Sequence, residues 1–314
     1  MSGAMAEGQG QGALPAVVLV AMGMAWGVTV PLSKLAVDAG HRSFGIVFWT
    51  ALIAVVVLGA HLAARRRRLP LGWPAIRLYG FVSLFGTLVP GLATYSAAEF
   101  LPAGVIAICL SLVPMMTLPL ALALGIDRPS PARVAGLALG LGGVLLLILP
   151  EASLPERAMV AFVPLALIAP LSYSVEGVGL GRFGMAGLDA VQVLCGASLL
   201  SAMVALPAAL MLGIFIDPRL PWGPGEAAVL VSGVINAVTY AAYVWLVGRA
   251  GAVFAAQVSY IITGAGVFWS MVILGEVYSS WIWAAMGLIL TGLVLVRPRA
   301  ALPPPPPSPT GGAA

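Results

Sequence analysis

Charged side chains are scarce in this sequence. They make up 8% of its 314 residues, against 61% hydrophobic, where a soluble globular chain carries about 25% charged residues. That shortage excludes an ordinary water-soluble globule and a polar disordered chain alike. Histidine and cysteine are scarce too, with two of each. His41 and His61 stand apart, no HExxH or clustered Asp motif occurs, and Cys109 and Cys195 both lie inside apolar stretches. A metal enzyme and a disulfide scaffold are therefore poorly supported, an enzyme of any kind is not expected, and neither is a cofactor or metal. The first residues lack the basic segment of a cleaved signal peptide, so the first apolar stretch reads as a retained span.

What the sequence does have is long uncharged runs. Ten stretches between consecutive charges are free of Asp, Glu, Lys and Arg, the shortest being Val134–Pro150. A helix needs about 20 apolar residues to cross a hydrocarbon layer, with roughly 17–25 tolerated. The expected fold class is thus all-α integral membrane, with ten transmembrane helices. Lys and Arg in short loops favour the cytoplasm. With the N-terminus inside, eleven basic residues, among them Arg65–Arg68, Arg77, Arg128, Arg133 and Arg297, fall inside, and four (Lys34, Arg42, Arg157, Arg219) fall outside. Both termini are expected to be cytoplasmic. The run Arg65–Arg68 reads as an anchor beside lipid headgroups, and nucleic acid is not an expected partner.

The segment Thr94–Val144 recurs as Thr239–Val294. Thr-Tyr-x-Ala stands at Thr94–Ala97 and at Thr239–Ala242, and Asp127 precedes Gly143 by the same spacing as Glu276 precedes Gly292. Five spans per copy is an odd number, so the second copy enters the membrane inverted. Two inverted five-helix repeats are a plan of secondary transporters, in which similar halves exchange inward-open and outward-open states around a midplane site. The expected organisation is a disordered tail at 1–13, a first repeat at 14–150, an outer linker at 151–158, a second repeat at 159–298, and a Pro-rich disordered tail at 299–314 containing Pro303–Pro307. The seventh span is expected over about Leu188–Ile216, long enough to tilt.

Ala25-Trp26-Gly27 in span one, Asp127 and Leu274-Gly275-Glu276 after spans four and nine, and the glycine-spaced spans five and ten resemble the EamA family of the drug/metabolite transporter superfamily, within it most closely the aromatic amino-acid exporters. The resemblance covers almost everything from Leu14 to Val296. It implies a multi-pass protein of the bacterial inner membrane that exports small metabolites, amino acids leading and aromatic ones included. It also implies a central cavity lined by spans one, three, four, six, eight and nine. Two departures stand out: Trp49 replaces an arginine common early in span two, and Thr263 replaces a proline common in span nine, while span four keeps Pro114.

Polar groups at membrane depth are costly, so they face a cavity or another helix. Glu176, past the middle of span six, is expected to titrate or to bind a substrate amine; the plainer alternative is a carboxylate reaching cytoplasmic water. Asn236 and Tyr240 share a helix face at i, i+4, and Gln257 and Tyr260 share one at i, i+3. Trp26, Tyr95 and Tyr173 would supply aromatic walls for an apolar or planar side chain, and Ser111 stands at the position equivalent to Tyr260. Lys34 and Glu99, near the outer ends of their spans, are candidates for a paired gate, with Glu99 and Glu176 as candidate proton sites. Asp127 and Glu276 are expected to cap the helix that follows each. Trp73, Trp222, Trp281 and Trp283, at span ends, read as interfacial belt residues. The expected partners are a small-molecule substrate (an amino acid or similar amphiphile) and membrane lipids. Export of drugs or nucleosides, and lipid flipping, are the rival functions.

Overall fold

The computed structural model describes residues 4–125, 129–150, 153–219, 221–250, 252–255 and 257–296. Every regular element among them is helical. The first half contains α1 (Ala4–Asp38), α2 (Ser43–Ala64), α3 (Trp73–Ser83), α4 (Val89–Ala98), α5 (Ala103–Leu110), α6 (Val113–Ala123) and α7 (Pro131–Ile148). A 3-10 turn, Arg157–Phe162, leads to α8 (Val163–Phe183), followed by α9 (Ala190–Met211), α10 (Pro224–Ala250), the short α11 (Ala252–Ala255), α12 (Val258–Leu274) and α13 (Ser280–Leu295). Eight spans are at least 18 residues long and apolar enough to cross a membrane; α12 and α13, at 17 and 16 residues, are shorter apolar helices. At a rise of about 1.5 Å per residue these two still reach roughly 24–26 Å. Counting α3 with α4 and α5 with α6, the described chain carries the ten expected spans.

Prolines decide where the long spans are interrupted. A proline ring collides with the carbonyl four residues earlier and offers no N–H. Pro90 therefore disturbs the turn at Gly86, and the chain accommodates it by widening into a π turn at Leu84–Leu88, where the Val89 N–H donates to the Leu84 carbonyl. Pro114 acts likewise on Leu110, and the helix breaks at Ser111–Leu112 between α5 and α6. Just past the break, the Val113 carbonyl accepts the Ser174 hydroxyl at 2.9 Å. Two boundaries differ from expectation. Helix α1 begins at Ala4, before Leu14, taking in part of the stretch expected to be disordered. Helix α9 stops at Met211, because Gly213 takes up φ +67° and turns the chain away before Ile216.

The halves interlock. Helix α1 packs against α10 and α12, and its counterpart α8 packs against α3–α4 and α6; α2 meets α9, α5 meets α12, and α7 meets α13. Exchanging the halves leaves this pattern unchanged, as two inverted repeats about a pseudo-twofold axis require. Without a hydrophobic drive between helices in lipid, close approach depends on small residues. Gly136, Gly140 and Gly143 of α7 press on α13 at Gly292 and Ile289, with Met115 wedged between. Gly27 packs on Ala265 and Gly266 of α12, which explains why glycine follows Trp26. The main core cluster mixes both halves, including Ile46, Ile108, Met115, Leu147, Ile282 and Ile289. The periphery is apolar too, with Val17, Val56, Leu141, Met203 and Val272 exposed toward the lipid.

Candidate functional site

A cavity of about 490 Å³ lies at the centre of the bundle, walled by both halves. Trp26, Tyr95, Ser111, Tyr173, Glu176, Asn236 and Tyr240, all named from the sequence as candidates, line it. Trp26 donates its indole N–H to the Asn236 Oδ1 at 2.9 Å, joining α1 to α10, and its ring meets Tyr243 edge-on at 6.4 Å. An indole N–H is a donor only, so Asn236 must present oxygen to it; the amide NH2 remains free to donate into the cavity. Tyr95 approaches the hydroxyls of Thr50 and Ser33. Glu176 has no hydrogen bond or ion pair among the described residues, and it is the one ionisable carboxylate in the lining, which contains no Lys, Arg or His.

Two expected lining residues are elsewhere. Tyr260 turns its hydroxyl to the Leu293 carbonyl of α13 at 3.1 Å, and Gln257 sits half-buried at the start of α12, outside the cavity wall. The face of α12 that lines the cavity carries Ser259, Ile262 and Thr263. Gln257 and Tyr260 do stand at i, i+3, but the rotation of α12 about its axis is fixed by packing on α1 and α5, with the Tyr260 hydroxyl tied to α13. Thr263, standing where a proline was expected, lines the cavity and donates to the Ser259 carbonyl at 2.8 Å. Spans two and seven also contribute, through Thr50 and Ala51 of α2 and Leu194 and Ser198 of α9. Their signal in the sequence is a hydroxyl at mid-depth, which is ambiguous because Ser and Thr satisfy themselves on the preceding turn. Ser33 and Thr50 do so here, donating to the Thr29 and Ile46 carbonyls.

The expected Lys34–Glu99 gate does not form. Lys34 donates to the Ala98 carbonyl at 2.8 Å and pairs with Asp38 at 3.1 Å, whereas Glu99 pairs with Arg42. Neither lines the cavity. The halves are instead tied at both ends by other groups. At the Asp38 end, Trp49 donates its indole N–H to the Ile216 carbonyl at 2.9 Å. His41 Nε2 lies 2.9 Å from Glu226 Oε1. At the opposite end Arg67 pairs with Asp189, and the Gln192 amide donates to the Arg68 carbonyl at 2.8 Å.

Glu276 caps a helix, but not the one expected. Its Oε1 accepts the Ala103 N–H at 2.7 Å and its Oε2 accepts the Gly104 N–H at 3.1 Å, so it closes the start of α5 in the other half. The Tyr278 hydroxyl donates to the same carboxylate. Helix α13, which follows Glu276 in the chain, begins at Ser280, and its N-cap residue Ser279 makes no side-chain cap. Asp127 lies outside the described residues. Trp73, Trp222, Trp281 and Trp283 are exposed, as belt residues are.

Comparison with known proteins agrees with this geometry. The family model described as EamA-like transporter family matches twice, over residues 14–149 and 161–297, one match per half. The Escherichia coli protein described as an uncharacterized inner membrane transporter, YedA, is 27% identical over 284 residues, covering 88% of this chain and 89% of that protein, in strain K12 and in strain CFT073. A solved crystal structure shares the fold with a TM-score of 0.61 at 21% identity, over 90% of this chain and 96% of its own. With two copies of the family model spanning both halves, ten apolar spans and a cavity between them, the chain belongs to the EamA-like transporter family and is a multi-pass membrane transporter.

Proposed function

We infer that this transporter exports small amine-bearing amphiphiles, amino acids with aromatic or apolar side chains among them, by alternating access of the central cavity. The observation that carries the reading is Glu176: a carboxylate facing the cavity with no protein partner among the described residues. A half-buried carboxylate with no partner keeps part of its desolvation cost, and a substrate ammonium offsets it. The free amide NH2 of Asn236 offers donors for a substrate carboxylate, while the hydroxyls of Ser33, Thr50 and Thr263, whose protons go to carbonyls of the preceding turn, offer acceptor oxygens to a substrate ammonium. Trp26, Tyr95, Tyr173 and Tyr240 supply the ring faces that attract a cation or stack on a planar side chain. Two inverted halves meeting around one site give two states of similar energy, and the ties at either end are the contacts that must alternate.

A second reading has its own support. Among the described residues the lining holds no basic side chain, so a substrate carboxylate finds neutral donors only, and monocationic drug-like amines fit the charge inventory as well as zwitterions do. Proteoliposomes loaded with a labelled panel separate the two. Flux of phenylalanine or tyrosine that falls steeply in Glu176→Gln supports the amino-acid reading. Flux confined to lipophilic cations supports the second, and no flux of either class refutes both. If Glu176→Gln keeps the full dependence of flux on a pH gradient, Glu176 is not the proton carrier.

A further inference from the structure

Three contacts bind α8 to the α3–α4 span along one face. The Ser172 hydroxyl donates to the Phe85 carbonyl at 3.0 Å. Four residues on, Glu176 lies over Gly86; three further, Gly179 lies over the ring of Phe81. Spacings of four and three put all three on one side of α8. At Gly86 the fit is close enough to matter: a Cβ built there would stand within 2.7 Å of the Glu176 Cδ and both carboxylate oxygens. Gly86 lies inside the π turn that Pro90 imposes and lines the cavity beside Glu176. The carboxylate is therefore placed by shape, against bare backbone, with no charge or hydrogen bond among the described residues to aim it.

We propose that Gly86 is a positioning residue for Glu176: the π turn, stripped of a side chain at this one point, is the seat that holds the carboxylate toward the cavity for a substrate ammonium. The subsite then belongs to both halves, α8 supplying the charge and the first half supplying its placement. The transport role rests on the reading of Glu176 given above, but the seat stands on geometry alone. Pro90 acts one step further back, by opening the turn. π turns inside α-helices recur at functional sites because they displace backbone in this way.

The test is a double-mutant cycle on the full chain in detergent, with Gly86→Ala, Glu176→Ala and the pair, read by thermal unfolding and by binding of labelled phenylalanine and of tetraphenylphosphonium. In an ordinary helix Gly→Ala is stabilising. Here the carboxylate is the far end of a flexible side chain and can swing aside, so Gly86→Ala is expected to displace it and to raise the melting temperature less while Glu176 is present than in the Glu176→Ala background, where the seat is empty. Binding of whichever probe the wild type takes should weaken about tenfold or more in Gly86→Ala, as when a close charge contact is lost, with little further change when Gly86→Ala is added to Glu176→Ala. Equal effects of Gly86→Ala in both backgrounds overturn the proposal, since they would make Gly86 a packing residue only. If the wild type binds neither probe, the transport reading fails, and the difference between the two melting shifts still decides the seat.

Discussion

Glu276 offers a perturbation whose size follows from counted contacts. Its two oxygens hold the first two N–H groups of α5, at 2.7 and 3.1 Å, and Ala103 is fully buried. The first turn of a helix has no intrahelical partners for these donors. Replacing Glu276 by Ala leaves both N–H groups and the Tyr278 hydroxyl without an acceptor. A lost cap costs about 0.5–2 kcal/mol, and hydrogen bonds to a charged acceptor about 1.5–3 kcal/mol each. Allowing for water reaching the helix end, Glu276→Ala should destabilise by about 2–4 kcal/mol. Glu276→Gln keeps one acceptor oxygen and sets an NH2 against the other N–H, so roughly half that loss is expected. Glu276→Asp is one methylene short of reaching both donors and should fall beside it. For a chain somewhat longer than 250 residues, about 2 °C per kcal/mol is a fair conversion, which puts the Ala variant some 4–8 °C lower in a thermal melt in detergent micelles. A melting temperature within about 1 °C of wild type would refute the idea that this cross-half cap holds the bundle together.

Two further outcomes test the packing. A Cβ on Gly292 would stand 2.7 Å from the Met115 Cε and press on the Gly136 carbonyl oxygen, which cannot yield, so Gly292→Ala should cost about 1–3 kcal/mol. Gly287, on the same helix with nothing within 4 Å of a built Cβ, should accept Ala at no cost or with a gain of about 0.5–1 kcal/mol; equal losses at both positions in denaturant melts would refute the α7–α13 contact. At the Glu276 end, burial first and then the bond to the Glu276 carboxylate raise the Tyr278 phenol above its ordinary value of 10.0. The raised value means that the stability this phenol contributes is present below pH 10 and is lost as pH rises through the higher folded value. The late-ionising part of the tyrosine absorbance should therefore lose the amplitude of one phenol in Tyr278→Phe, and an unchanged late amplitude in that variant would refute the assignment.

Much of the site was legible because depth and chemistry are local properties. Trp26, Tyr95, Tyr173, Glu176, Asn236 and Tyr240 are the polar and aromatic groups far from any span end, and a bundle of inverted halves has its cavity at that depth. The failures share a cause. Gln257 and Tyr260 were placed by the same reasoning, yet polarity does not fix the rotation of α12, and Tyr260 finds its acceptor at Leu293. Lys34 and Glu99 were paired by depth and sign, but Asp38 and Arg42 lie nearer and take both charges. Glu276 was assigned to the helix next in sequence, whereas a helix from the other half presents its open N–H groups at bonding distance.

By itself the sequence determined the number of spans, the two copies and their inversion, because charge-free length and odd span count need no knowledge of contacts. The tertiary structure alone decided which helices meet, which face of α12 lines the cavity, that spans two and seven join the wall, and that Glu176 rests on bare backbone at Gly86. These depend on how helices rotate and approach one another. In lipid that is settled by close packing of small residues from opposite halves, a property no single stretch of the chain contains.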